Sequence, residues 1–224
     1  MKNIARTNYK VKIWDLYIRL NHIGMITLIL LCYFSVKNGD MDTHFICGYL
    51  LMGLIITRII WGIFGSYSAR FSSFIRFPIH IFYYFRDRNH DHFESHNPAG
   101  GYMVMLLLCL ISTQIITGLF ATDDIFADGP LADMVSYAFS KKMTSLHYLN
   151  FDILFIAICF HVSAVLIYLL LLKQNLIVPM ITGHKKHYRD VQLTKHPIFA
   201  FLILFVVYIV IFIYLIGPII YTNF

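Results

Sequence analysis

Four of the eleven histidines in this chain stand where an imidazole is costly. His22, His44, His147 and His161 lie inside long apolar stretches. His80, His90, His92, His96, His184, His187 and His196 lie in or beside two basic connecting segments and read as solvated surface. An ionisable group held in an apolar run is usually functional, and imidazole ligates iron, zinc and copper alike. His147 and His161 are 14 residues apart. On one helix that separation is about 21 Å along the axis and only about 40° around it. A single helix would then offer two imidazoles on one face at two depths. Bis-imidazole ligation at two stacked sites is the chemistry this spacing suggests.

The elements that must position them are membrane-spanning helices. Apolar residues make up 58% of the chain and charged residues 13%, about half the charge of a soluble domain. Five segments reach the roughly 20 apolar residues that cross a hydrocarbon layer: 13–36, 44–64, 99–121, 144–172 and 197–221. Backbone groups cannot stay unpaired in lipid, so these are predicted helices and the fold class all-α. The first run is too long for a signal-peptide core and is followed by no small-residue cleavage site, which predicts an uncleaved first span. Cys32, Cys47, Cys109 and Cys159 all fall in apolar runs, with no CxxC or CxxCH spacing, and read as buried small residues.

The net charge of +6 does not indicate nucleic acid, because its basic residues alternate between connections. Lys2, Arg6, Lys10 and Lys12 precede the first span; Arg70, Arg76, Arg86 and Arg88 follow the second; Lys185, Lys186, Arg189 and Lys195 follow the fourth. Asp123, Asp124, Asp128 and Asp133 mark the opposite side, with Lys141 and Lys142 closing that connection. The alternation predicts a cytoplasmic amino terminus and an outer carboxyl terminus. Phe71, Phe74, Phe77, Phe82, Tyr83, Tyr84 and Phe85, interleaved with arginines, read as a segment lying at the interface.

This topology sets the depths. His22 and His161 share a level in the cytoplasmic half, and His44 and His147 share one near the outer surface. The apolar surroundings, without nearby carboxylates or thiolates, favour a large apolar cofactor, haem, over a bare dication. Arg58, 14 residues beyond His44 on the same face, is level with the inner site and suits a haem propionate. Arg19 shares the face of His22 and is a second candidate. Gly48, one turn from His44, would let a flat macrocycle approach the backbone.

The chain resembles the prokaryotic cytochrome b561 family, near the b-type cytochrome subunits of nickel–iron hydrogenases. The resemblance rests on WDLYIRLNHIG, HFICGYLLMGLIITRIIWGIFGSYSARFSSF, HNPAGGYMVMLLLCLISTQIITGLF, LHYLNFDILFIAICFHV and LLKQNLIVPMITGHKK. It implies a four-helix bundle with two haems b over residues 1–186, ligated at His22, His44, His147 and His161, with none from the third helix. Residues 187–224 form an extra spanning helix, expected to pack on the bundle or a partner, or to serve as a lipid-facing anchor. The resemblance further implies a bacterial inner-membrane electron-transfer subunit of an oxidoreductase complex. It would relay electrons between the quinone pool and a redox partner such as a hydrogenase, a dehydrogenase or a cytochrome c. The quinone is expected in the cytoplasmic half near the inner haem, bordered by the second connection and with His96 participating. Two rival readings are a stand-alone superoxide:quinone oxidoreductase and a histidine-lined metal transporter. The transporter would need a polar path, for which the spans offer little beyond Ser112, Thr113, Gln114 and Asp152.

Overall fold

In the computed structural model, which describes residues 9–75, 77–79, 83, 86, 96–125, 127–187 and 193–222, four polar side chains set where the long helices begin. Asp15 accepts from the Ile18 amide at 2.8 Å and caps α1 (Leu16–Lys37). Asp40 accepts from Thr43 at 3.0 Å and caps α2 (Met41–Phe64), and these hydrogen bonds hold its carboxyl below the usual range. Asn97 accepts from Gly100 at 2.7 Å ahead of Pro98, the first residue of α3 (Pro98–Leu119). Ser136 accepts from Phe139 and caps α4 (Tyr137–Leu170). Each cap satisfies an amide that the first turn leaves without an intrahelical partner. A fifth helix, α5 (Ile198–Ile211), continues through a π-helical turn (Phe212–Ile216) into a last turn (Gly217–Thr222). Pro218 has no amide hydrogen to donate, and a widened turn ahead of it accommodates the interrupted ladder. All five helices are long and apolar enough to cross a membrane.

Two helix starts differ from the sequence reading. α4 begins two turns ahead of the apolar run, because Ser136 and not the membrane boundary sets its end. Lys141 and Lys142 therefore belong to the helix, and His147 lies well inside it rather than at its opening. α2 begins three residues earlier than read, at Met41, so His44 sits in its first turn.

α1 packs along α2, α3 along α4, and α5 along α2. Two short strands that the sequence reading did not anticipate, β1 (Tyr9–Lys12) and β2 (His184–His187), pair antiparallel with Tyr9 opposite His187. Four spans separate them, so their pairing puts both on one side of the bundle, as the charge alternation requires. Beside them the buried Asp15 also accepts from Trp61 Nε1 at 2.9 Å and from the Ser66 hydroxyl. Ser66 in turn accepts from the Lys195 amide at 2.9 Å. Val11, Ile13, Trp14, Tyr17, Ile18, Trp61, Leu193 and Ala200 form an apolar cluster around this network.

The aromatic second connection does not lie wholly at the interface. Phe74 is fully buried, and Phe71 packs against the middle of the bundle, while Phe77 is 80% exposed. Phe82, Tyr84, Phe85, Arg76 and Arg88 lie outside the described residues. Of the three roles open to the fifth span, packing on the bundle is the one observed. Tyr208 donates to the Leu50 carbonyl at 3.0 Å, and its ring occupies the space where Gly53 lacks a side chain. A Cβ on Gly53 would stand 2.1 Å from that ring.

Gly53→Val should displace α5 from α2 and lower the melting temperature in detergent without removing any cofactor, since α5 carries none of the four histidines. Asp15→Ala should cost about 3 kcal/mol in reversible unfolding, through a lost helix cap and two buried donors left unpaired.

Candidate functional site

The four intramembrane histidines meet in two pairs, as the depth argument predicts. His22 of α1 faces His161 of α4 with ring centres 6.4 Å apart and planes crossed at 65°. His44 of α2 faces His147 of α4, also at 6.4 Å, with planes crossed at 80°. Other ring contacts in this chain range from 4.6 Å for Phe74 and His96 to 6.3 Å for Phe45 and Tyr49. A metal between two imidazoles, with nitrogen bonds of about 2 Å and about 1.1 Å from each nitrogen to its ring centre, sets the centres about 6 Å apart. The observed spacing of 6.4 Å leaves room for a metal ion between the rings of each pair.

Hydrogen bonds aim the outer pair. His44 Nδ1 lies 3.0 Å from the Cys32 carbonyl of α1. A carbonyl can only accept, so Nδ1 carries the proton and Nε2 is left free to ligate. His147 Nδ1 lies 3.2 Å from Thr117 Oγ1 of α3. The Thr117 hydroxyl donates to the Thr113 carbonyl at 2.7 Å, so toward His147 it acts as acceptor. Gly118 makes room for this ring, since a Cβ there would stand 2.9 Å from it. Gly48 faces open space, with no side chain of another element within 4 Å of a Cβ built there among the described residues. A flat macrocycle therefore meets no side chain at that point of α2.

The donor set also limits the metal. Among the described residues no three His, Cys, Asp or Glu side chains converge. Two imidazoles alone leave a tetrahedral dication two ligands short, whereas a porphyrin supplies four in a plane and needs only the axial pair. Haem fits both sites.

Around the inner pair the polar groups are less settled. Arg58 is buried, donates to the Ala69 carbonyl at 3.3 Å and lies over the Phe71 ring at 5.2 Å. No carboxylate forms an ion pair with it among the described residues, although Asp15 and Tyr17 lie within electrostatic reach. Arg19 does not point freely at the inner site: one terminal nitrogen donates to the Ile181 carbonyl, tying α1 to the short helix after α4. Its Nε is buried without a hydrogen-bond partner among the described residues.

His96 corrects the surface reading given to the loop histidines. Its ring is held between Trp14 and Phe74, and its Nδ1 is sealed off without a hydrogen-bond partner among the described residues. Burial first, then the charges of Arg58 and His161, push its pKa from 6.5 to about 3. His96 is neutral at physiological pH.

Sequence reasoning singled out the four histidines that pair here but missed Thr117 and the Cys32 carbonyl beside two of them. Both act across helices, and no spacing within one helix signals them.

A family model described as prokaryotic cytochrome b561 matches residues 13–183. Neither a curated protein nor a solved structure matches the chain significantly.

Removing the Thr117 hydroxyl with Thr117→Val should weaken metal or haem retention at the outer pair by about tenfold, measured by haem titration of the purified protein, with the inner pair unaffected. The low pKa of His96 means that the folded chain binds fewer protons than the unfolded one. Its contribution to stability is whole above pH 6.5 and is lost progressively as the pH falls from there toward about 3. His96→Phe should therefore flatten the fall in melting temperature between neutral and acid pH.

Proposed function

The chain belongs to the prokaryotic cytochrome b561 family of membrane cytochromes b that act in electron transfer, and from that premise we propose that it carries two haems b and relays electrons between a redox partner protein and the quinone pool. The observation that supports this most directly is the pair of imidazole couples at two levels of one helix, each with its rings 6.4 Å apart. Haem, when bound, supplies a one-electron carrier at each level.

The residues of the chain do the rest. His22 with His161, and His44 with His147, would each hold a haem through two imidazoles, which would disfavour binding of oxygen and favour outer-sphere transfer. The Cys32 carbonyl and Thr117 fix the tautomer and orientation of the outer ligands and raise their basicity. Leu51 and Ile55 of α2, Leu108 and Ile111 of α3 and Leu154 of α4 form a buried apolar layer between the two levels, which excludes water from the path. Arg58 offers a buried positive charge level with the inner pair, suited to a propionate. Arg19, through its unpartnered Nε, is a second such donor. The quinone belongs in the cytoplasmic half near the inner pair, bordered by the second connection, where His96 and its aromatic neighbours offer a neutral imidazole and flat apolar surfaces. The charge pattern orients the amino terminus to the cytoplasm and the carboxyl terminus to the periplasm of a bacterial inner membrane.

The rival readings fare worse on particular contacts. A stand-alone superoxide oxidase calls for a positive entrance on the outer face, but Lys141 is ion-paired with Asp124. A transporter calls for a free polar path, but Gln114 is engaged by the Asn150 amide at 2.6 Å.

The purified chain should hold two low-spin haems b; a colourless protein would sink the proposal. His44→Ala or His147→Ala should remove the outer haem, and His22→Ala or His161→Ala the inner one. Imidazole planes crossed as they are here would leave the iron π orbitals of a bound haem nearly degenerate. Both ferric centres should therefore give strongly anisotropic paramagnetic resonance signals, and the signal lost with each substitution checks the pairing.

A further inference from the structure

One ionisable group in the spans has no place in the scheme above. Asp152 lies on α4 five residues inward of His147 and nine outward of His161, so it sits between the two histidine levels. At 100° per residue it points about 140° from His147 and directly opposite His161. It therefore faces away from both sites, and its surface is exposed. It makes no hydrogen bond or ion pair among the described residues, and an aspartate side chain is too short to snorkel far. Lys142, on the same helix, is ten residues away, about 15 Å. A carboxylate turned toward hydrocarbon is costly and calls for a partner.

The same face carries further features of a helix seam. Ser145, Asp152 and Cys159 follow one another at seven-residue intervals, with Ser163 beside them, and all four are exposed. Small and polar residues at this interval let a second helix approach closely and bond across the contact. Large side chains flank the stripe, with Tyr148 at 66% and Ile156 at 54% exposure. A second copy of this chain is the poorer occupant. A two-fold contact would set Asp152 against Asp152, and among the described residues no Lys, Arg or His is exposed at that depth.

We propose that this face of α4 docks a membrane-spanning helix of a different protein, one that brings a lysine, arginine or protonated histidine to the depth of Asp152. The proposal rests on the partner reading above for the redox character of that protein alone; the docking face stands on α4 itself. A helix clamped there would lie beside the element that carries one ligand of each haem.

Cys159 is a built-in reporter, two turns from Asp152 on the same face. The full chain is reconstituted with synthetic leucine–alanine transmembrane peptides bearing one central lysine and a cysteine seven residues to either side of it. Twin peptides carry leucine in place of the lysine. Under mild oxidation the lysine peptide should form a disulfide with Cys159 at least about fivefold more than its twin. That preference should vanish in Asp152→Leu, whose haem spectra remain those of the unmodified chain. Exposed Cys109 on α3 serves as the control and should show no preference. Equal yields from the twin peptides, or a preference that survives Asp152→Leu, would overturn the proposal. Disulfide-linked dimers of the chain through Cys159 that the lysine peptide does not displace would assign the face to a second copy and overturn it too. Absence of haem from the purified chain would count against the function proposed above and leave this result standing.

Discussion

An imidazole lone pair has to be aimed at one point, and inside a bilayer only neighbouring protein groups can aim it. This chain places one imidazole of each pair on α4, so the straightness and rotation of that single helix fix both sites at once. His147, Leu154 and His161 follow at seven-residue steps, and His44, Leu51 and Arg58 repeat the rhythm on α2. Seven residues fall only about 20° short of two helical turns, so each stripe keeps one face from the outer level to the inner. The leucine at each midpoint, buried in the central cluster, is the seal that separates the two polar levels.

The two levels are held differently, and that difference has a structural origin. The outer rings are oriented by acceptors from α1 and α3, at Cys32 and Thr117. The inner rings have no such acceptor among the described residues. What lies on the side of the inner pair instead is a dense end of the bundle: Asp15, Trp61 and Ser66 in a buried network, the two-stranded β1–β2 ribbon, and Arg19 reaching across to Ile181. That network binds together the amino terminus, the end of α2 and the segment entering α5. The inner site is stiffened from its rim, and the outer one by bonds to the histidines themselves.

α5 and the far face of α4 show two ways of treating apolar surface. α5 is covered on one side because Gly53 admits the Tyr208 ring and the Leu50 carbonyl accepts its hydroxyl. Its other side presents Phe199, Phe205 and Phe212, more than half exposed and wholly apolar, a surface suited to lipid. α4 instead interrupts its exposed surface with serines, a cysteine and an aspartate, which lipid does not favour. The contrast lies in chemistry, since the two faces are similarly exposed.

By itself the sequence determined the spans, their alternating sides and the two histidine levels, because length in lipid, loop charge and helical period are local properties that tertiary packing cannot reverse. The family resemblance added the haem cofactor and, as an expectation, the quinone. Helix ends were less legible: Ser136 starts α4 two turns early because capping, rather than apolarity, ends a helix that projects beyond the bilayer. His96 looked like surface because its neighbours in sequence are polar; only the tertiary structure folds Trp14 and Phe74 over it. Thr117 and the Cys32 carbonyl were invisible for the same reason, each meeting its histidine from another helix. The tertiary structure also put α5 on α2, a choice resting on one missing side chain at Gly53. The sequence contained that glycine, but nothing local to it said which ring would fill the gap.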